Sequence, residues 1–150
     1  MTRGKQIRIG KQVRTIPAAN ATRFDEIEHT LRQLYPGPEH ANEYQAAITA
    51  AATYLIGAPE PPSSWTIRSA SRGNDNSAAI VDRWKTQLDA IIAPYAQQLH
   101  QARAELDAAT AAARTLATLA TDDGLTEPAT AERFDVDRLT LRKWRGKRDR

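Results

Sequence analysis

The chain of 150 residues has no cysteine. That absence removes disulfides, a thiol nucleophile and cysteine-ligated zinc, and it fits a cytoplasmic protein. Long hydrophobic runs are missing too: no stretch approaches the roughly 18 consecutive apolar residues of a membrane span, so no membrane partner is expected. The basic opening Met1-Thr2-Arg3-Gly4-Lys5 leads into alternating polar residues instead of an apolar segment, so no secretory signal is read there. Neither a phosphate loop of the GxxxxGKS/T type nor a GxGxxG turn occurs, which takes away the usual cradles for nucleotide hydrolysis and dinucleotide binding. His29, His40 and His100 stand far apart, and the i,i+3 pair His40 and Glu43 is explained by a solvated helix face. Asp25, Glu26 and Glu28 fit a helix N-terminal turn, and Asp122-Asp123 a loop after a helix, so neither group reads as a general acid and base pair. No enzyme activity, cofactor, metal site or small-molecule ligand is expected. A mass of 16.6 kDa leaves room for one modest domain, or a small domain with helical and basic extensions, and excludes a large two-domain enzyme.

What is present is segregated charge. The net charge is only +3. Yet residues 1–14 carry Arg3, Lys5, Arg8, Lys11 and Arg14 with no acid, and residues 138–150 carry Arg138, Arg142, Lys143, Arg145, Lys147, Arg148 and Arg150 against Asp149 alone. The acids are concentrated between these ends. Two basic ends on an acidic body suit contact with a polyanion. Neither end shows the aromatic and leucine face of an interfacial helix, which places nucleic acid ahead of a membrane surface. Arg outnumbers Lys 16 to 5 beside 27 Ala, which resembles the usage of a GC-rich bacterial genome.

Abundant Ala, with Gly and Pro gathered at a few points, predicts an all-α fold with five segments. Residues 1–21 form a basic arm; Ile7, Ile9 and Val13 alternate with polar residues around Gly10-Lys11, so a short hairpin is the alternative, and the arm is favoured. Residues 22–57 form a helical hairpin. Its first helix is capped by Thr22 and turns Phe24, Ile27, Leu31 and Leu34 inward, ending at Tyr35-Pro36-Gly37; its second spans about 39–56 with Ala41, Tyr44, Ile48, Ala51 and Leu55 inward. Residues 58–77, rich in Pro, Ser, Gly and Asn, read as a linker or long loop on which Trp65 docks against a neighbouring surface or meets a ligand. Residues 78–121 form a long helix that Pro94 kinks or interrupts. Beyond Pro94, Leu99, Ala102, Leu106, Ala109, Ala113, Leu116 and Ala120 keep a/d spacing. That seam packs on the first hairpin or pairs with a second chain as a coiled coil, making a homodimer.

Residues 122–150 carry the most informative pattern. Thr126 caps a helix whose first turn accepts Pro128, Asp135-Val136-Asp137 interrupts, and Asp137 caps a second helix with Leu141 and Trp144 on its inward face. Two helices crossing at a steep angle need a small residue at the crossing, an apolar residue three on, a turn residue tolerant of left-handed angles, an apolar residue beside it, and two apolar anchors on the second helix. Ala131, Phe134, Asp135, Val136, Leu141 and Trp144 meet these needs in register. Leu116 and Leu119 from the end of the long helix complete the core.

In these residues the segment resembles the helix-turn-helix family of DNA-binding proteins, and the TLRKW run is similar to the recognition helix of MerR-type and excisionase-type regulators. Asp135 stands where that family has Gly, and Asp visits the left-handed region at modest cost. Only six residues follow Trp144, too few for the MerR-type wing, so ligand sensing and DNA distortion do not carry over. The resemblance implies a second helix entering the major groove, with Arg138 and Arg142 at base edges and Thr140 as a weaker base contact. Lys143, Arg145, Lys147, Arg148 and Arg150 fall on phosphates, and the N-terminal arm adds an electrostatic contact or reaches a minor groove. The expected role is transcriptional regulation or plasmid or phage DNA maintenance. The alternative is a helical interaction or scaffold protein whose basic tail has no specific DNA target.

Overall fold

A computed structural model describes residues 3–146 of the chain. Among them, six α-helices accompany one two-stranded sheet, so the fold is mostly helical and departs from all-α by that sheet. The chain divides into two compact units, one ending at Tyr95 and the other beginning at Ala96.

The sheet opens the N-terminal unit and corrects the expectation of an arm over residues 1–21. Strands β1 (Lys5–Ile9) and β2 (Gln12–Ile16) pair antiparallel, with Lys5 opposite Ile16 and Ile9 opposite Gln12. Gly10 takes φ 60 at the first of the two loop residues, the position where a type II′ turn favours glycine. An isolated two-stranded hairpin is marginal in water. Here Ile7, Ile9 and the wholly buried Ile16 join Phe24, Ile48, Ala52 and Leu55 in one core; Ile16 contributes about 1.5–3 kcal/mol by its burial, and the half-buried Ile7 and Ile9 contribute less. Lys5 pins the hairpin to the first helix through Asp25 and Glu28, and the Asp25 hydrogen bond raises its pKa above the ordinary lysine value.

Helices α1 (Ala21–Leu34) and α2 (Ala41–Gly57) pack on each other as the apolar stripes require. The details differ from the spacing argument. α1 has no side-chain cap from Thr22; a 3-10 turn at Ala18–Asn20 leads into it, and Asn20 Nδ2 donates to the Leu55 carbonyl at 2.9 Å. Leu34 is 62% exposed, and Ala52 rather than Ala51 is the buried alanine of α2.

Residues 58–77 are not a continuous loop. They hold α3 (Ser64–Ser71) and the first turn of α4 (Asp75–Asp122). Side-chain caps explain both: Ser63 Oγ accepts from the Thr66 N–H at 3.1 Å, and Asn74 Oδ1 accepts from the Ser77 N–H at 3.0 Å. Trp65, expected to dock on a neighbouring surface, is 66% exposed. α4 starts at Asp75 rather than Ala78 and continues through Pro94 without interruption. Its first half buries Val81 in the N-terminal unit and half-buries Trp84, Leu88 and Ile91.

In the C-terminal unit the second half of α4 is followed by α5 (Glu127–Arg133) and α6 (Arg138–Trp144). Leu99, Leu106 and Leu116 of the a/d seam are all more than half exposed, so this unit leaves the seam uncovered.

Candidate nucleic-acid interface

The interface region begins where α4 stops. Gly124 adopts φ 111, and the N–H groups of Gly124 and Leu125 return to the carbonyls of Thr121 and Ala120 at 3.2 and 2.9 Å. Thr126 then caps α5, its Oγ1 accepting from the Ala129 N–H at 3.4 Å, with Pro128 placed where no backbone donor is needed. Thr130 is wholly buried, and its hydroxyl donates to the Thr126 carbonyl at 2.9 Å.

α5 ends with the same device but without glycine. Asp135 has φ 52, alone among the described non-glycine residues in being positive. Its N–H donates to the Glu132 carbonyl at 3.2 Å, and the Val136 N–H donates to the Ala131 carbonyl at 3.0 Å. These are the paired bonds of a left-handed helix termination. Asp137 Oδ1 next accepts from the Thr140 N–H at 2.6 Å and so starts α6. That bond favours the charged carboxylate and lowers the Asp137 pKa below the usual aspartate value.

The apolar residues picked out by spacing come together. Ala131 and Leu141 are buried, with Phe134, Val136 and Trp144 packed around them. The Phe134 and Trp144 rings meet edge to face, 6.5 Å between centroids at 79°. The contribution from α4 is different from the expected one: Leu116 and Leu119 are exposed, and Ala117 is fully buried in their place. A methyl group at the crossing lets the backbones approach closely, whereas a leucine there would hold them apart.

Charged groups divide α6 into an inner and an outer set. Glu127 on α5 receives Arg142 Nε at 3.3 Å and Arg145 Nη1 at 3.2 Å, and Arg145 Nη2 lies 3.9 Å from Asp122 Oδ1. Arg145, expected to touch phosphate, is only 18% exposed and points inward to these carboxylates. Arg142, expected at a base edge, is half-exposed and shared with Glu127. Arg138, Leu139 and Lys143 are exposed, while Thr140 is half-buried. Lys147 and Arg148, with Arg150, lie outside the described residues.

Glu127 is not legible from spacing, because an acid in a first turn reads as a dipole contact; its signal is the pair of arginines three apart on the facing helix. Nor is Leu139, an apolar residue on an otherwise charged surface. The described residues contain no group of three or more metal-ligating side chains, and none of their helices is long and apolar enough to cross a membrane.

No family model, curated protein or solved structure matches this chain. The geometry of the C-terminal unit is therefore what bears on function. It presents a short helix, fixed at one end by Asp137 and along one side by Leu141 and Trp144, whose free side is cationic with a single leucine.

Proposed function

We propose that α5, the turn through Asp137 and α6 act as a helix-turn-helix that binds duplex DNA, in a transcriptional regulator or a plasmid or phage DNA-maintenance factor. The observation that carries this reading is the outward set on α6: Arg138, Leu139 and Lys143 are exposed on a helix whose other side is anchored by Leu141 and Trp144. Arg138 sits in the first turn of α6, the end that approaches base edges in such motifs, and its guanidinium suits bidentate contact with guanine. Leu139 suits the methyl group of thymine. Lys143 falls on a phosphate, and Arg142 is positioned by Glu127 to reach a base edge or the backbone.

One such motif binds a specific site weakly, so the reading includes a homodimer. The uncovered leucines of the α4 seam support pairing with a second copy. Selection of bound duplexes from a random library tests both parts. The expected result is an enriched site with two-fold symmetry that Arg138→Ala abolishes. Recovery of no sequence above the input library contradicts sequence-specific binding and favours the scaffold reading.

A further inference from the structure

Trp65 stands in water on α3, and its surroundings have a chemistry that the proposed DNA contact does not use. Arg68 follows it at i+3 on the same side of the helix, Arg72 is the residue just past the C-terminal end of α3, and both arginines are exposed. Trp65, Arg68, Ser69, Arg72 and Asn74 line one open cavity of about 420 Å³. Arg68 Nε donates to the Ser64 carbonyl of its own helix, at 3.4 Å, and among the described residues neither guanidinium meets a carboxylate. The cavity thus holds an aromatic face and two cations with no carboxylate partner among the described residues.

We propose that this cavity binds single-stranded nucleic acid, with a base stacked on the Trp65 indole and the adjoining phosphate held by Arg68 and Arg72. A nucleotide offers a π face and an anion one sugar apart, which matches the Trp65 ring and the Arg68 guanidinium about one helical turn on, with Arg72 lining the same cavity. In a duplex the base faces are covered by their neighbours, so a stacking ring selects an unpaired strand. An acidic protein segment satisfies the arginines and leaves the ring uncovered. Stacking is indifferent to base identity, so the site tolerates any sequence. It belongs to the N-terminal unit, whereas α6 belongs to the C-terminal one.

The test measures anisotropy of a labelled oligothymidylate of about 15 nucleotides, titrated with the full chain at physiological salt, beside a duplex of mixed sequence. Trp65→Ala and the double variant Arg68→Ala with Arg72→Ala each weaken oligothymidylate binding about tenfold and leave duplex binding unchanged, while Trp65→Phe keeps most of the affinity. Arg138→Ala with Lys143→Ala does the reverse, so failure of this site and failure of the α6 reading are read separately. All these side chains are exposed, and circular dichroism of each variant checks that the fold is kept. The proposal is overturned if the parent chain does not bind oligothymidylate, or if Trp65→Ala binds it as the parent does. It is equally overturned if a polyglutamate peptide displaces the oligonucleotide at equal concentration, which assigns the cavity to an acidic protein.

Discussion

Glu127 and Arg145 join the start of α5 to the end of α6 through a hydrogen bond of 3.2 Å, with both side chains at most 20% exposed. Arg145 is thereby part of the frame of the C-terminal unit and not of its outer surface. Charge-assisted bonds in such partly covered positions contribute about 1–2 kcal/mol. Glu127→Gln and Arg145→Ala are expected to lower unfolding stability by about that much, whereas Arg138→Ala, fully on the outside, changes it by less than about 0.5 kcal/mol. Urea titration followed by tryptophan emission separates the two groups.

The turn rests on the backbone of Asp135 at φ 52. Glycine reaches that region freely, asparagine nearly so, and a β-branched residue only under strain. Asp135→Gly and Asp135→Asn are expected to match or exceed the parent in thermal unfolding, and Asp135→Val to cost about 1–3 kcal/mol. Equal stability of the valine variant contradicts a left-handed turn at this position.

Asp137 makes the stability of α6 depend on acid. Its folded pKa is lowered by the Thr140 N–H, so it contributes stability above the unfolded aspartate value of about 3.9 and loses that contribution as pH falls through the lower folded value. Asp137→Ala should lower Tm near neutral pH, and the difference from the parent should shrink as pH drops below about 4. A difference that stays constant across that range rules out the capping carboxylate as its cause.

The exposed seam on α4 gives the homodimer a direct check. Leu106 is 65% exposed in the single chain, so Leu106→Lys removes nothing from either core. Light scattering is expected to return a dimer for the parent and a monomer for the variant, with helix content retained by circular dichroism. A monomeric parent, or a dimeric variant, contradicts pairing through the seam.

Much of this architecture is legible in the amino-acid order because short-range rules govern it. Thr126 and Asp137 announce helix starts by their side-chain chemistry, and Ala131, Phe134, Val136, Leu141 and Trp144 fall together because their spacing matches helical geometry on both sides of a turn. What the local pattern left open or missed depends on tertiary contact. The alternation over Lys5–Ile16 admits a hairpin or an arm, and the hairpin exists because α1 and α2 cover Ile7, Ile9 and Ile16. The choice of Ala117 over Leu116 and Leu119 depends on the phase at which α4 meets α5 and α6, and leucines attract the eye of any hydrophobicity argument. Arg145 looked like one more outward cation because the carboxylates that hold it come from the preceding helices.

Binding of duplex DNA over a range of salt concentrations tests the central claim most directly. The logarithm of the affinity should fall linearly against the logarithm of salt, by about 0.9 for each phosphate that a basic side chain neutralises. Arg138→Ala with Lys143→Ala should bind at least about tenfold more weakly and flatten the slope by about 1, the share of the Lys143 phosphate contact. An affinity indifferent to salt, or a double variant that binds as the parent does, contradicts the assignment of α6 as the DNA-contacting helix.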